Sequence, residues 1–121
     1  ITSEESLLST VSTHILDTTR GLPATDVMVD FFMLRADGIQ TKISSNMTDI
    51  NGRVGALIAQ NTKLNRGTYK LKFNTDSYFK TMGIQAFYPY IEVVFNIFNS
   101  DQHYHIPLLL SPYGFTTYRG S

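Results

Sequence analysis

Three histidines are the residues of this sequence best suited to acid–base chemistry. His103 and His105 form an H-x-H motif in the segment HYHIPLLL, and His14 lies far away in the chain. Because side chains alternate along a β-strand, the two imidazoles of this motif would lie on one face, about 7 Å apart. The opposite, core-facing positions would be Tyr104, Ile106, Leu108 and Leu110. The motif therefore predicts a polar sheet face with two imidazoles.

Spacing alone leaves three interpretations of this face open. The first is a solvated surface on which histidines fall by chance. The second is a zinc site, in which His14 joins the H-x-H pair as a third imidazole, one position stays open and Asp17 supports a ligand. The third is metal-free catalysis, in which a histidine acts as general base and an arginine holds an anionic substrate. Other catalytic signatures, such as H-E-x-x-H, G-x-S-x-G or a phosphate-binding glycine loop, do not occur.

Composition fits one folded domain and excludes several classes of function. Of 121 residues, 42% are hydrophobic and 17% are charged, which is enough for a core. Ten basic residues balance ten acidic ones, so the positive surplus of a nucleic-acid-binding protein is missing. The absence of cysteine excludes disulfides, thiol nucleophiles and cysteine-bound metals. No apolar run approaches the ~20 residues of a membrane span, so we expect no membrane partner.

Short strands dominate the predicted secondary structure. Alternating apolar residues predict strands over residues 68–73, 91–98 and 103–110, and a run rich in β-branched and aromatic residues predicts another over residues 27–34. The dipeptide Asn51-Gly52 predicts a hairpin turn, because both residue types accept a positive φ. About seven strands with frequent turns predict an all-β sandwich in a single domain over residues 11–121.

Two further segments complete the predicted organisation. One short helix is expected over residues 76–82, with Thr75 as its N-cap and Gly83 at its end. Residues 1–10 are small and polar, which predicts a flexible N-terminal arm.

Five segments of the sequence resemble the transthyretin superfamily. They are THILDTTRGLPA (13–24), NGR (51–53), GTYKLKFNTDSYF (67–79), FYPYIEVVF (87–95) and HYHIPLLLSPYGFTTYRGS (103–121). Within that superfamily, the H-Y-H motif followed by PLLLSP and the final Tyr-Arg-Gly-Ser resemble the 5-hydroxyisourate hydrolases. The hormone-carrying transthyretins lack both features.

This resemblance implies a transthyretin-like sandwich of two four-stranded sheets with one short helix. It also implies a homotetramer, built as a dimer of dimers, with active sites in a channel at the dimer–dimer interface. The expected reaction is hydrolysis of 5-hydroxyisourate, the product of urate oxidation, to 2-oxo-4-hydroxy-4-carboxy-5-ureidoimidazoline, with no cofactor or metal. The alternative is a transthyretin-like carrier of a small ligand such as a thyroid hormone.

Motif by motif, the resemblance also assigns roles to residues. It implies that His14, Arg53 and His105 are catalytic. The substrate-binding set it implies is His14, Arg53, Tyr118, Arg119 and Ser121. His103 also matches the family pattern, and we expect it to contact the catalytic residues without itself contacting the substrate.

The resemblance is compatible with either the cytoplasm or the peroxisome as the compartment of this protein. The final Arg-Gly-Ser differs from the Ser-Lys-Leu peroxisomal address. The sequence begins at Ile1, so an amino-terminal leader could have been removed.

Overall fold

The computed structural model describes residues 11–59 and 62–120, which form a β-sandwich. Within these residues there are nine strands and one helix. They are β1 (Val11–Asp17), β2 (Leu22–Pro23), β3 (Met28–Leu34), β4 (Gln40–Met47), β5 (Arg53–Val54), β6 (Gly67–Asn74), α1 (Thr75–Thr81), β7 (Ile91–Ile97), β8 (Tyr104–Ser111) and β9 (Gly114–Thr117). The predicted arm over residues 1–10 lies outside this part. None of the described helical residues forms a segment long and apolar enough to span a membrane.

Two sheets make up the sandwich. The first has the order β2-β1-β8-β9, with β5 also paired to β1, and the second has the order β4-β3-β6-β7. Strands β1 and β8 run parallel, whereas the other pairs are antiparallel. The predicted all-β sandwich is confirmed. The first sheet has five strands rather than the four that the resemblance implies, because β2 and β5, two residues each, both pair with β1.

Alternating side chains fill the space between the sheets as the sequence predicts. On β6, Tyr69, Leu71 and Phe73 are almost completely buried. On β8, the four even-numbered residues from Tyr104 to Leu110 are buried in the same way. Burial of one face of β8 leaves His105 on the opposite face, outside the core.

The single helix links the second sheet to the end of β1. It begins one residue earlier than predicted, and its N-cap is Asn74 rather than Thr75. The prediction of a Thr75 cap was wrong because this side chain is drawn into the core, where it is almost completely buried. From the helix, the Tyr78 hydroxyl donates a hydrogen bond of 2.7 Å to Asp17 Oδ2 at the end of β1. This bond fixes the strand that carries His14.

Candidate active site

The outer face of the five-stranded sheet collects the residues predicted to be catalytic. In the parallel register of β1 and β8, Ser12 lies opposite His105. In the antiparallel register of β1 and β5, His14 lies opposite Arg53. Residues directly opposite each other in a sheet point to the same side. Since Ser12 and His14 are two positions apart on β1, all four side chains share this face.

A hollow of about 300 Å³ opens on this face, which is the lower end of the range for small-molecule sites. Most of the residues that line it are of polar types. The lining consists of Ser12, Thr13, Arg53, Val54, Gly55, His103 and His105. His14 lies beside it, paired with Arg53. The structure therefore brings the H-x-H histidines and the predicted arginine to one small cavity.

A tight turn presents Arg53 to this cavity. Asp49 Oδ1 accepts backbone N–H bonds from Asn51 at 2.8 Å and from Arg53 at 3.0 Å. Gly52, with φ of +75°, accepts a bond of 2.8 Å from the Ile15 N–H. A Cβ at this position would lie 2.5 Å from the Ile15 carbonyl oxygen, so only glycine fits. Arg53 is thereby held against β1.

The hairpin predicted at Asn51-Gly52 was wrong. Strand β4 pairs with β3 in one sheet, whereas β5 pairs with β1 in the other. The turn therefore crosses between the sheets instead of joining two paired strands. Of its two central residues, Gly52 alone has a positive φ, so the type I′ geometry of an Asn-Gly hairpin does not form.

Ser12 is the member of the site that the sequence analysis missed. Its Oγ lies 2.8 Å from His103 Nε2 and 2.8 Å from His105 Nδ1. The two imidazole rings are nearly parallel, with an interplanar angle of 16° and 6.5 Å between their centroids. The signal in the sequence is its spacing of two from His14, which places both on one face once β1 is known to start at Val11.

The C-terminal segment returns to the site through Gly120. Its N–H donates a hydrogen bond of 2.7 Å to the His105 carbonyl oxygen. A Cβ on Gly120 would lie 2.8 Å from His105 Cδ2 and 3.3 Å from Pro107 Cγ. The bare glycine backbone therefore packs directly against the imidazole ring and limits its position.

Tyr118 and Arg119 line a different hollow of the same chain. It lies between β7, β8 and the C-terminal segment, and its volume is about 350 Å³. The Arg119 guanidinium stacks 4.5 Å from the centroid of the Tyr104 ring, and its Nη2 donates to Gln102 Oε1 at 3.2 Å. Neither residue lines the cavity of His105 within one chain, and Ser121 lies outside the described residues. Their predicted contacts with substrate stay predictions.

Burial and positive neighbours lower the pKa of two site histidines, His105 and His14. Burial lowers the pKa of His105 below its ordinary value of 6.5, and the nearby His103, His14 and Arg53 charges lower it further. The pKa of His14 is also lowered, first by burial and then by Arg53, against a smaller opposing effect of the Asn51 backbone and Asp49. A neutral imidazole has a free nitrogen lone pair at neutral pH, so His105 can accept a proton.

The zinc interpretation finds no ligand set in the part of the chain that the structure describes. There, no three side chains of His, Asp or Glu come together in a way that could hold a metal ion. Asp17, the carboxylate considered for support, is buried and accepts the Tyr78 hydroxyl instead. The described residues therefore fit acid–base chemistry better than metal binding.

Comparison with known proteins identifies the family of this chain. The family model described as the HIUase/Transthyretin family matches residues 11–120. The chain belongs to this family. Among its relatives, a probable 5-hydroxyisourate hydrolase of Caenorhabditis elegans is 45% identical over 113 residues, which cover 93% of this chain and 82% of that protein.

Solved structures show that both functional branches of the family share this fold. The 5-hydroxyisourate hydrolase of Klebsiella pneumoniae superposes with a TM-score of 0.79 at 32% identity, covering 93% of this chain and 94% of its own. Sea bream transthyretin in complex with thyroxine superposes with a TM-score of 0.84 at 33% identity, covering 91% and 93%. Fold similarity therefore does not separate hydrolase from carrier in this family, and the site residues must.

The contact of Gly120 with His105 predicts that even one methyl group at this position disturbs the site. In Gly120→Ala, the new Cβ must push the His105 ring away, because it would lie 2.8 Å from Cδ2. We expect kcat/KM to fall by ~10–100-fold, since small misplacements of a catalytic group are costly. Steady-state kinetics on the purified variant measures this loss.

Gly114→Ala is the matched control for this variant. A Cβ at Gly114 would make an ordinary contact of 3.6 Å with Ser111 Oγ, so activity should be unchanged. Equal activity of the Gly120→Ala and Gly114→Ala variants would show that Gly120 does not position His105.

Proposed function

We propose that this protein hydrolyses 5-hydroxyisourate to 2-oxo-4-hydroxy-4-carboxy-5-ureidoimidazoline in urate degradation. One observation carries the proposal: the half-buried imidazole of His105, whose pKa burial lowers, shares a small cavity with Arg53. The names of relatives with 45% identity support the same reaction. On the resemblance of the sequence, we place the reaction in the cytoplasm or the peroxisome.

His105 serves in this proposal as the general base. It takes a proton from a water molecule, whose oxygen then attacks a ring carbonyl carbon of the substrate. A tetrahedral intermediate forms, and its collapse breaks the ring C–N bond. The carbonyl carbon becomes the carboxyl group of the product, and the released nitrogen becomes part of the ureido group. No step requires an oxidant or a cofactor, so we propose that the enzyme uses none.

Arg53 provides the electrostatic part of catalysis. Hydroxyisourate is planar and rich in carbonyl groups, and the guanidinium is a rigid, planar donor that matches such groups. Negative charge develops on the attacked oxygen, and a fixed cation next to it stabilises that charge. The adjacent His14, opposite Arg53 in the strand register, completes the proposed catalytic set.

The C-terminal residues have a supporting role in this proposal. Gly120 already binds the backbone of His105. We propose that Tyr118, Arg119 and Ser121 contribute to substrate binding from the subunit interface, because within one chain Tyr118 and Arg119 line a separate hollow. His103 supports the site through its hydrogen bond with Ser12.

A small-ligand carrier is the second candidate function, because thyroxine-bound transthyretin has the same fold. The lining of the cavity argues against it. Two imidazoles and a guanidinium at one hollow favour a polar, ionisable heterocycle over a largely apolar hormone. Decay of freshly generated hydroxyisourate, followed by ultraviolet absorbance with and without the protein, separates the two functions directly.

The proposed roles of His105 and Arg53 predict severe losses in two variants. His105→Asn keeps some hydrogen bonding but removes the base, so turnover should fall by ~10²–10⁴-fold. Arg53→Lys keeps the charge but loses the planar donor pair, so it should also be severely impaired. The ultraviolet assay gives both rates.

Arg35→Lys provides a matched control for the arginine variant. Arg35 is exposed, and its ion pair with Asp37 is remote from the cavity, so full activity is expected. If the His105 and Arg53 variants fold normally and hydrolyse at the wild-type rate, the assignment fails and the carrier becomes the better account.

We also propose that the protein is a homotetramer, a dimer of dimers. Among the described strands, β7 and β9 each have one neighbour in their sheet, so each offers a free edge. Large apolar side chains are exposed on or next to these edges, at Val94, Phe98 and Phe115. Strand pairing between two chains would cover them.

Light scattering coupled to size-exclusion chromatography tests this assembly. The expected mass is four times 13.7 kDa. A stable monomer with full hydrolytic activity would contradict the proposal that subunits share the site.

A further inference from the structure

We propose that Ser12 is a positioning residue that joins His105 to His103 in one hydrogen-bonded chain and fixes which nitrogen of His105 acts as the base. This inference deepens the proposed function and rests on it for its kinetic consequences. It starts from the position of the Ser12 hydroxyl, which is within 2.8 Å of one nitrogen of each ring.

The surroundings of Ser12 make this a fixed contact. Ser12 is only 9% exposed, and it lines the cavity from β1, a strand with neighbours on both sides. Its backbone is held in the parallel register with His105. At a site shielded from solvent, a lost hydrogen bond is poorly replaced by water, so this hydroxyl contributes to the orientation of both rings.

The number of protons available sets the direction of donation along the hydrogen-bonded chain His105–Ser12–His103. A serine hydroxyl has one proton, so between two neutral rings it donates to one and accepts from the other. If His105 is to take a proton on Nε2, that nitrogen must be unprotonated, and Nδ1 of the same ring must carry the hydrogen. The Nδ1–H then donates to Ser12 Oγ, and Ser12 donates to Nε2 of His103. This is the arrangement in which His105 can act as a base.

The same chain stabilises His105 after it has accepted the proton. The imidazolium keeps its Nδ1–H directed at Ser12, whose own proton remains directed at Nε2 of His103. If His103 were protonated as well, both rings would donate to one oxygen and repel each other. The other basic groups facing His105 are His14, whose own pKa is lowered, and Arg53, whose fixed positive charge disfavours a second positive charge at this site. The hydrogen-bonded chain therefore favours protonation of either His105 or His103, but not of both rings at once.

Removal of the Ser12 hydroxyl tests whether this hydrogen-bonded chain supports catalysis. In Ser12→Ala, we expect kcat to fall by ~10–100-fold, the usual cost of losing a partner that orients a functional histidine. KM should change little, because substrate contacts remain. Ser12→Thr, which keeps the hydroxyl and suits a strand, should recover most of the loss. Ser45→Ala, on β4 of the other sheet, is the matched control and should behave as wild type.

A double-mutant cycle with His103→Ala separates this chain from general packing. Residues that act through one chain give losses that do not add. The Ser12→Ala/His103→Ala protein should therefore be no slower than the worse single variant. Additive losses, or a Ser12→Ala enzyme with wild-type kcat, would overturn the proposal.

Imidazole ¹⁵N chemical shifts provide a readout that needs no substrate. In the wild-type protein above the pKa of His105, we expect its proton on Nδ1, and in Ser12→Ala we expect this preference to be lost. An unchanged tautomer in Ser12→Ala would overturn the inference even if the variant were slow. If the wild-type protein shows this tautomer but does not hydrolyse hydroxyisourate, the hydrogen-bonded chain stands and the proposed function fails.

Discussion

The parallel pairing of β1 with β8 is the constraint on which the site depends. It sets Ser12 opposite His105 and His14 opposite Pro107 in a single register. A shift by one residue would turn every side chain of β1 to the other face and send His14 into the core. Arg53 then reaches the same face because β5 pairs with β1 at His14. Three segments distant in sequence thus meet through the two edges of one strand.

The two faces of this sheet have opposite roles that support each other. The inner face carries Val11, Ile15 and the even-numbered residues of β8, and their burial holds the strands in register. The outer face carries the imidazoles and the guanidinium, which would be costly to bury in a core. Half-burial on this face lowers the pKa of His105 without removing it from the cavity. A stable core thus allows a reactive surface.

Family membership and function rest on different observations. Transthyretin and a 5-hydroxyisourate hydrolase both superpose on this chain at TM-scores near 0.8, so the backbone fits either function. The functional distinction lies in a few side chains on the outer sheet face. The proposal that the protein is a hydrolase therefore depends on His105 and Arg53, and on their common cavity.

Much of the fold could be predicted from the sequence because apolar residues recur at every second position along β6, β7 and β8. The alternation in β6 predicted that Tyr69, Leu71 and Phe73 face the core, and they are buried. The H-x-H spacing predicted the polar face of β8. The two-residue strands were missed because they are too short to show a period. Asn51-Gly52 indicated a turn, but local preference does not say which sheet the next strand joins.

The site was only partly predictable for the same physical reason. His14, Arg53 and His105 have chemistry that draws attention, and the structure brings them together. Ser12 has a common side chain, and its importance arises from a strand register that spacing alone does not reveal. The location of Arg119 over Tyr104 likewise depends on tertiary packing at the sheet edge.

The pH dependence of kcat/KM for hydroxyisourate tests the central claim most directly, because it reports the ionisation of the free enzyme's base. His105 must be neutral to act, so the rate should fall as pH decreases through its pKa. Since burial and the neighbouring positive charges lower that pKa, the midpoint of the acid limb should lie below 6.5. The residual activity of His105→Asn should lack this limb. A rate that is independent of pH between about 4 and 8, or an identical acid limb in His105→Asn, would contradict the account.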